Sequence, residues 1–216
     1  MNAADSSIQV LLFDLGGVLV EFDGIAPLIA LSGNRLDKES ARRFWLTSPS
    51  VREFETGRCG AEEFARRALA ELGVAMAPDV FLRQFVSWDR GPMDGALGLL
   101  DALKPRFLLA CLSNNNELHW NRLREETKLP EKFHRCYLSH EIGVMKPDRE
   151  SFGHVVRDLK TSPEHILFFD DNPECVDAAK LLGFIAHRAR GVGEVRAVLS
   201  ELGLHHDAVK QSSRSA

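Results

Sequence analysis

The stretch that most constrains this chain is an apolar run, Ile8-Gln9-Val10-Leu11-Leu12-Phe13. It ends on one carboxylate, Asp14, followed at once by Leu15-Gly16-Gly17. A continuous apolar run of strand length suits a strand buried on both faces, as in a parallel sheet. Open parallel sheets bind ligands beyond the carboxyl ends of their strands. Asp14 is therefore expected at that rim, with Gly16 and Gly17 letting backbone amides approach whatever binds there.

The remainder of the chain supports such a sheet. From residue 94 helix and strand alternate. Strands are expected over Phe107–Leu112, Cys136–Ser139, Ile166–Phe169 and Phe184–His187. Helices are expected over Gly95–Leu103, Leu118–Thr127, Arg149–Leu159, Cys175–Leu182 and Glu194–Leu202. This alternation predicts an α/β fold, a Rossmann-like parallel sheet with right-handed crossovers. Residues 22–92 differ in character. Glu39–Leu46, Ala61–Leu72 and Pro78–Trp88 carry apolar residues at helical spacing among many charges, and no strand is expected there. The expected organisation is a core of residues 1–21 and 93–204, an all-helical insertion over 22–92, and a flexible polar tail over 205–216.

Composition narrows the function classes. The 216 residues carry a net charge of -4, which gives no electrostatic case for nucleic acid. No apolar run approaches the roughly 20 residues that span a bilayer. The opening Met1–Ser7 is polar and does not read as a signal peptide. Cys59, Cys111, Cys136 and Cys175 lie far apart without a Cys-x-x-Cys pair, so metal or disulfide roles are not expected. A cytoplasmic protein fits these features.

Four polar clusters fall at strand ends or loops on one rim: Asp14, Ser113-Asn114, Lys146 and Asp170-Asp171. Taken singly, each has an ordinary reading as a turn residue, a helix cap or a solvated lysine. Those readings are independent of one another, whereas a site for Mg²⁺ and a phosphate group accounts for all four together.

Those motifs resemble the haloacid dehalogenase-like hydrolase superfamily, along nearly the whole chain. Phe13-Asp14-Leu15-Gly16-Gly17-Val18 looks like its nucleophile motif, and Leu112-Ser113-Asn114 like its second. Val144-Met145-Lys146-Pro147-Asp148 and Phe168-Phe169-Asp170-Asp171-Asn172 look like the third and fourth. The insertion matches the subfamily with an inserted helical cap, in which Phe54-Glu55-Thr56-Gly57 looks like a recurrent segment. The run from Leu112 to Trp120 is similar to a branch containing a bacterial α-glucose-1-phosphate phosphatase.

The resemblance implies that Asp14 attacks phosphorus and forms an aspartyl-phosphate. It implies Mg²⁺ held by Asp14, Asp171 and the Gly16 carbonyl, with Asp170 acting through a water or by orienting its neighbours. Lys146 would neutralise charge, while Ser113, Asn114 and the Leu15 and Gly16 amides would bind the phosphate. The expected substrate is a small phosphorylated metabolite, a sugar phosphate first.

Gly16 is a departure. Phosphatases of the family usually carry there a second Asp as general acid and base, a role worth about 10²- to 10⁴-fold. Either the leaving group needs little help, or another group substitutes, or the protein is slow or only binds phosphorylated ligands. Candidate substitutes are Glu21, Asp23, Glu55 and His119. A second departure is Cys175, where relatives have Asn or Asp. 2-Haloacid dehalogenases also lack the second Asp, but they need no metal and have no acidic pair, so Asp170-Asp171 argues against them. Trp45, Arg52, Trp88 and Trp120 are candidate pocket residues. The sequence leaves the oligomeric state open.

Overall fold

A computed structural model of the protein describes residues 8–204; the expected tail over 205–216 lies outside the described residues. The chain begins with β1 (Val10–Phe13) and β2 (Val20–Phe22). Five helices follow: α1 (Ile25–Leu31), α2 (Lys38–Thr47), α3 (Pro49–Glu55), α4 (Ala61–Leu72) and α5 (Pro78–Val86). Then come β3 (Asp89–Pro92), α6 (Ala96–Leu103), β4 (Leu108–Ser113), α7 (Glu117–Glu126), β5 (Arg135–Leu138) and α8 (Ser139–Ile142). The chain continues through α9 (Arg149–Leu159), β6 (Ile166–Asp170), α10 (Pro173–Leu181), β7 (Ile185–Arg188) and α11 (Gly191–Glu201).

Five strands form one parallel sheet in the order β5-β4-β1-β6-β7. From central β1 the chain builds outward through β4 and β5, then crosses to the other side for β6 and β7. The strand order therefore reverses beside β1, the place where open sheets leave a crevice for ligands. Asp14 follows the last residue of that strand.

The apolar run of β1 is buried on both faces, as its composition demands. Leu11 and Phe13 join a cluster with α6, α7 and α11, where Phe13 stacks on Phe169 at 5.4 Å between ring centroids. Val10 and Leu12 point the other way, into Phe152, Phe168, Val176 and Ala179 on α9, β6 and α10. Successive residues thus serve two cores, following the two-residue period of a strand.

Helices α1 to α5 enclose a third cluster of their own, centred on Phe54, Phe64, Phe81 and Phe85. Phe54 and Phe64 stack at 4.4 Å. The Asp37 side chain caps α2 by accepting from Ser40 N at 2.8 Å, and Ser48 caps α3 ahead of Pro49 at its first turn.

The expectation that residues 22–92 hold no strand is corrected. β2 pairs antiparallel with β3, and this ribbon joins the helical unit to the sheet. The short, glycine-containing Asp89-Arg90-Gly91-Pro92 has neither alternation nor β-branched residues, so only pairing with β2 makes it a strand. Helices α1 and α3, at seven residues each, were too short to show a period. No helix among the described residues is long and apolar enough to cross a membrane.

Phe64 is 1% exposed and touches the rings of Phe54, Phe81 and Phe85. Phe64→Ala should destabilise the helical unit by about 3–5 kcal/mol, measured by urea unfolding. A loss below about 1 kcal/mol would show that this ring does not hold the cluster.

Candidate active site

The carboxyl ends of β1, β4 and β6 bring four of the predicted clusters together. Lys146 is 3% exposed, and its Nζ lies 2.9 Å from Asp14 Oδ1 and 2.6 Å from Asp170 Oδ2. A cation this deep is tolerated because two carboxylates face it. Those carboxylates hold its proton and raise its pKa against the opposing effect of burial. The lysine is aimed by Asn114, whose amide donates to the Lys146 carbonyl at 2.9 Å and accepts from its N–H at 2.8 Å. Asn114 therefore pins the Lys146 loop, leaving only its second amide N–H for a ligand.

Asp170 is fully committed to the protein: its other oxygen accepts from Asn172 N at 2.8 Å. Asp171 is different, for no hydrogen bond to its carboxylate is formed among the described residues. That carboxylate rests on Gly17, where a Cβ would lie 2.8 Å from Asp171 Oδ2 and where φ is +74°. Gly17 is thus required twice, by conformation and by space. Asp14, Asp170 and Asp171 each offer an oxygen, all within 4.8 Å of one another. Three carboxylates against one lysine leave net negative charge, and hard oxygen donors suit a divalent cation such as Mg²⁺.

Burial pushes Asp14 up to about 7, opposed by Lys146 and helped by Asp170 and Asp171. Asp171 is also raised, chiefly by burial and then by Asp170. Cys175, in the first turn of α10, is a buried thiol whose pKa is raised by burial, so it stands as a neutral group near the cluster.

Beside the cluster opens a cavity of about 430 Å³ reached by Leu15, Gly16, Ser113 and Lys146. The Leu15 and Gly16 amides donate to no backbone carbonyl among the described residues. Ser113 makes only a long 3.4 Å contact to the Asn114 carbonyl. These are free donors at one end of the cavity, as an anion requires. The lining also includes the apolar side chains of Phe22, Trp45, Leu46, Phe85 and Leu123. Of the four candidate pocket residues, Trp45 and Arg52 line it, whereas Trp88 and Trp120 are buried in the cores.

Of the four candidate substitutes for the acid, the structure separates one. Glu21 is exposed and pairs with Arg90 at 2.9 Å. Asp23 accepts from the N–H groups of Ile25 and Ala26 at the start of α1. His119 is buried, accepting from Asn116 at Nδ1 and donating from Nε2 to the Phe85 carbonyl at 2.8 Å. Burial lowers its pKa to about 4, so it is neutral and already partnered. Glu55, at the end of α3, lines the cavity. Sequence reasoning missed Asp89, a buried carboxylate on the cavity wall that accepts from Gly91 N at 2.8 Å. It also missed the ion pair between Arg52 of α3 and Asp148, two residues after Lys146.

The sequence profile of the haloacid dehalogenase-like hydrolases matches residues 8–183. The chain belongs to that family. It is a hydrolase on the haloacid dehalogenase-like scaffold, and it resembles named phosphatases. A D-ribitol-5-phosphate phosphatase of Bacteroides thetaiotaomicron is 29% identical over 195 residues, covering 82% of this chain and 89% of its own. A phosphatase of Mycobacterium tuberculosis is 27% identical over 198 residues, covering 88% and 91%. Among solved structures, a haloacid dehalogenase family enzyme of Bacteroides thetaiotaomicron was crystallised with magnesium and inorganic phosphate. It is 25% identical with a TM-score of 0.71, covering 85% of this chain and 94% of that one.

Two outcomes test the cation site. Asp14, with its raised pKa, holds its proton more tightly folded than unfolded. That stabilisation is present at low pH and lost as pH rises through about 7. A divalent cation needs the deprotonated carboxylates. Magnesium should therefore raise Tm more at about pH 8 than at about pH 5; an equal or larger shift at the lower pH would remove these carboxylates as its ligands. Gly17→Ala should weaken magnesium binding by calorimetry and cost roughly 1 kcal/mol or more of stability. Unchanged affinity would show that the contact with Asp171 is not needed.

Proposed function

We propose that the protein is a magnesium-dependent phosphatase that hydrolyses a small phosphorylated metabolite through an aspartyl-phosphate on Asp14. The observation that carries this reading is Asp14 at the switch point of the sheet, 2.9 Å from a buried lysine and within 4.8 Å of two further carboxylates. Phosphatase relatives and a magnesium-phosphate complex on the same scaffold support it. A sugar or sugar-alcohol phosphate is the favoured substrate, in keeping with the D-ribitol-5-phosphate relative. A cytoplasmic location belongs to the same reading.

Asp14, Asp171 and the Gly16 carbonyl would hold magnesium, which would supply positive charge that eases the approach of a carboxylate to an anionic phosphate. The chain's own groups do the rest. The Leu15 and Gly16 amides, Ser113 and Lys146 bind the phosphoryl oxygens and hold phosphorus in line with Asp14. Asp14 displaces the alcohol, and water then releases phosphate from Asp14. Asp170 keeps Lys146 charged and placed. The helical unit of residues 22–92 acts as the cap, covering the cavity and excluding bulk water. A 2-haloacid dehalogenase is disfavoured by the acidic pair Asp170-Asp171 beside Asp14, which such chemistry does not use.

The test is phosphate release from a panel of sugar phosphates, acetyl phosphate and p-nitrophenyl phosphate, with magnesium and with EDTA. Release should need the metal and fall to background in Asp14→Asn. Phosphate and magnesium binding without release from any substrate would replace this reading with a non-catalytic phospho-ligand binding protein.

A further inference from the structure

The reading above leaves the alcohol leaving group without a proton donor, because Gly16 stands where that donor is expected. We infer that Glu55, carried by the helical unit rather than by the sheet, is the general acid and base of this site. The inference rests on the phosphatase reading and extends it.

Three observations carry it. The first is place. Glu55 lines the same cavity as Gly16, Ser113 and Lys146. The second is availability. Among the described residues nothing donates to or accepts from its carboxyl, whereas Glu21, Asp23, Asp89 and His119 all hold protein partners.

The third is anchorage. One turn before Glu55, Arg52 pairs with Asp148 in the loop that carries Lys146. Two residues after it, Gly57 passes so close to α8 that a Cβ would lie 2.3 Å from the His140 carbonyl oxygen. The end of α3 is thus moored to the core on both sides of Glu55, and φ of +69° at Gly57 makes that approach a glycine position. A carboxyl fixed in this way can meet a leaving-group oxygen without first being ordered.

The electrostatics agree. Burial pushes Glu55 up to about 7, with Asp14 adding to the rise and Lys146 opposing it. The group thus senses the nucleophile across the cavity and is poised between acid and base near neutrality. Asp89, the other raised carboxyl on the wall, is influenced by Gly91, Arg122 and Glu126 and not by Asp14 or Lys146.

The chemistry balances as follows. An Asp14 oxygen forms a bond to phosphorus while the bond from phosphorus to the leaving oxygen breaks. That oxygen keeps the electron pair, takes the Glu55 proton and departs as an alcohol. Glu55, now a carboxylate, removes a proton from the water that attacks the phosphorus of the aspartyl-phosphate. The bond from phosphorus to Asp14 breaks, leaving inorganic phosphate, the Asp14 carboxylate and a reprotonated Glu55.

The experiment compares wild type and Glu55→Gln on phosphate esters of rising leaving-group basicity, from p-nitrophenyl to simple alkyl phosphates, with Tm of each protein recorded. Glu55→Gln should lose about 10²- to 10⁴-fold in kcat/KM on alkyl phosphates. It should lose less than about tenfold in formation of the Asp14 adduct from p-nitrophenyl phosphate, whose leaving group needs no proton. The slope of log kcat/KM against leaving-group pKa should therefore steepen. Equal losses across the series, or none, would overturn the role of Glu55 while leaving the phosphatase reading intact. A Glu55→Gln protein with lowered Tm is replaced by Glu55→Asp, which keeps the carboxyl and should retain the shallow slope; a steep slope there would also overturn the role. Wild type that turns over no ester and forms no adduct would sink the phosphatase reading, and the inference with it.

Discussion

The buried ammonium of Lys146 is the constraint on which the rim depends. A lone charge at this depth would cost several kcal/mol, yet here it meets Asp14 from β1 and Asp170 from β6 within 3 Å. Asn114, just beyond β4, fixes the backbone of the lysine in turn. One ion therefore ties together the exits of three strands that share no side-chain chemistry of their own. Two carboxylates and one lysine leave a negative balance, and Asp171 adds to it with no hydrogen bond to its carboxylate among the described residues. The sheet supplies the frame, and this imbalance makes the rim receptive to a divalent cation.

The helical unit stands in a different relation to the chemistry. Its aromatic cluster is separate from the two cores of the sheet, so its packing does not need the rim. They are joined by the β2–β3 ribbon, the Arg52–Asp148 pair, the close passage of Gly57 over α8, and α7, from which His119 donates to the Phe85 carbonyl and Arg122 to the carbonyls of Val86 and Asp89. Surface ion pairs contribute little to stability. Hydrogen bonds and one ion pair, rather than a buried core shared with the sheet, define how the helical unit is docked.

The sequence made the sheet legible because strands buried on both faces leave long apolar runs, and three of those runs end on or beside a polar residue of the candidate site. Asp14, Ser113 and Asp170 could be placed at one rim for that reason. The ribbon was not legible, since Asp89–Pro92 becomes a strand only through its partner. The four acid candidates were equally silent in sequence. What sorts them is their partners, and these are distant: His119 donates to Phe85, 34 positions away, and Glu21 meets Arg90, 69 positions away. Local spacing carries no trace of such pairs. Asn114 shows the same limit, reading as a phosphate ligand or helix cap when its amide holds a loop 32 residues on.

Placing the acid on the helical unit changes what sets its strength. For Glu55 the largest influence is burial, ahead of Asp14 and Lys146. Glu55 is carried by α3, whose end is held to the core by the Arg52–Asp148 pair and by the close passage of Gly57 over α8. With Gly16 at the rim, proton donation in this reading depends on the packing of the helical unit and not on the sheet alone.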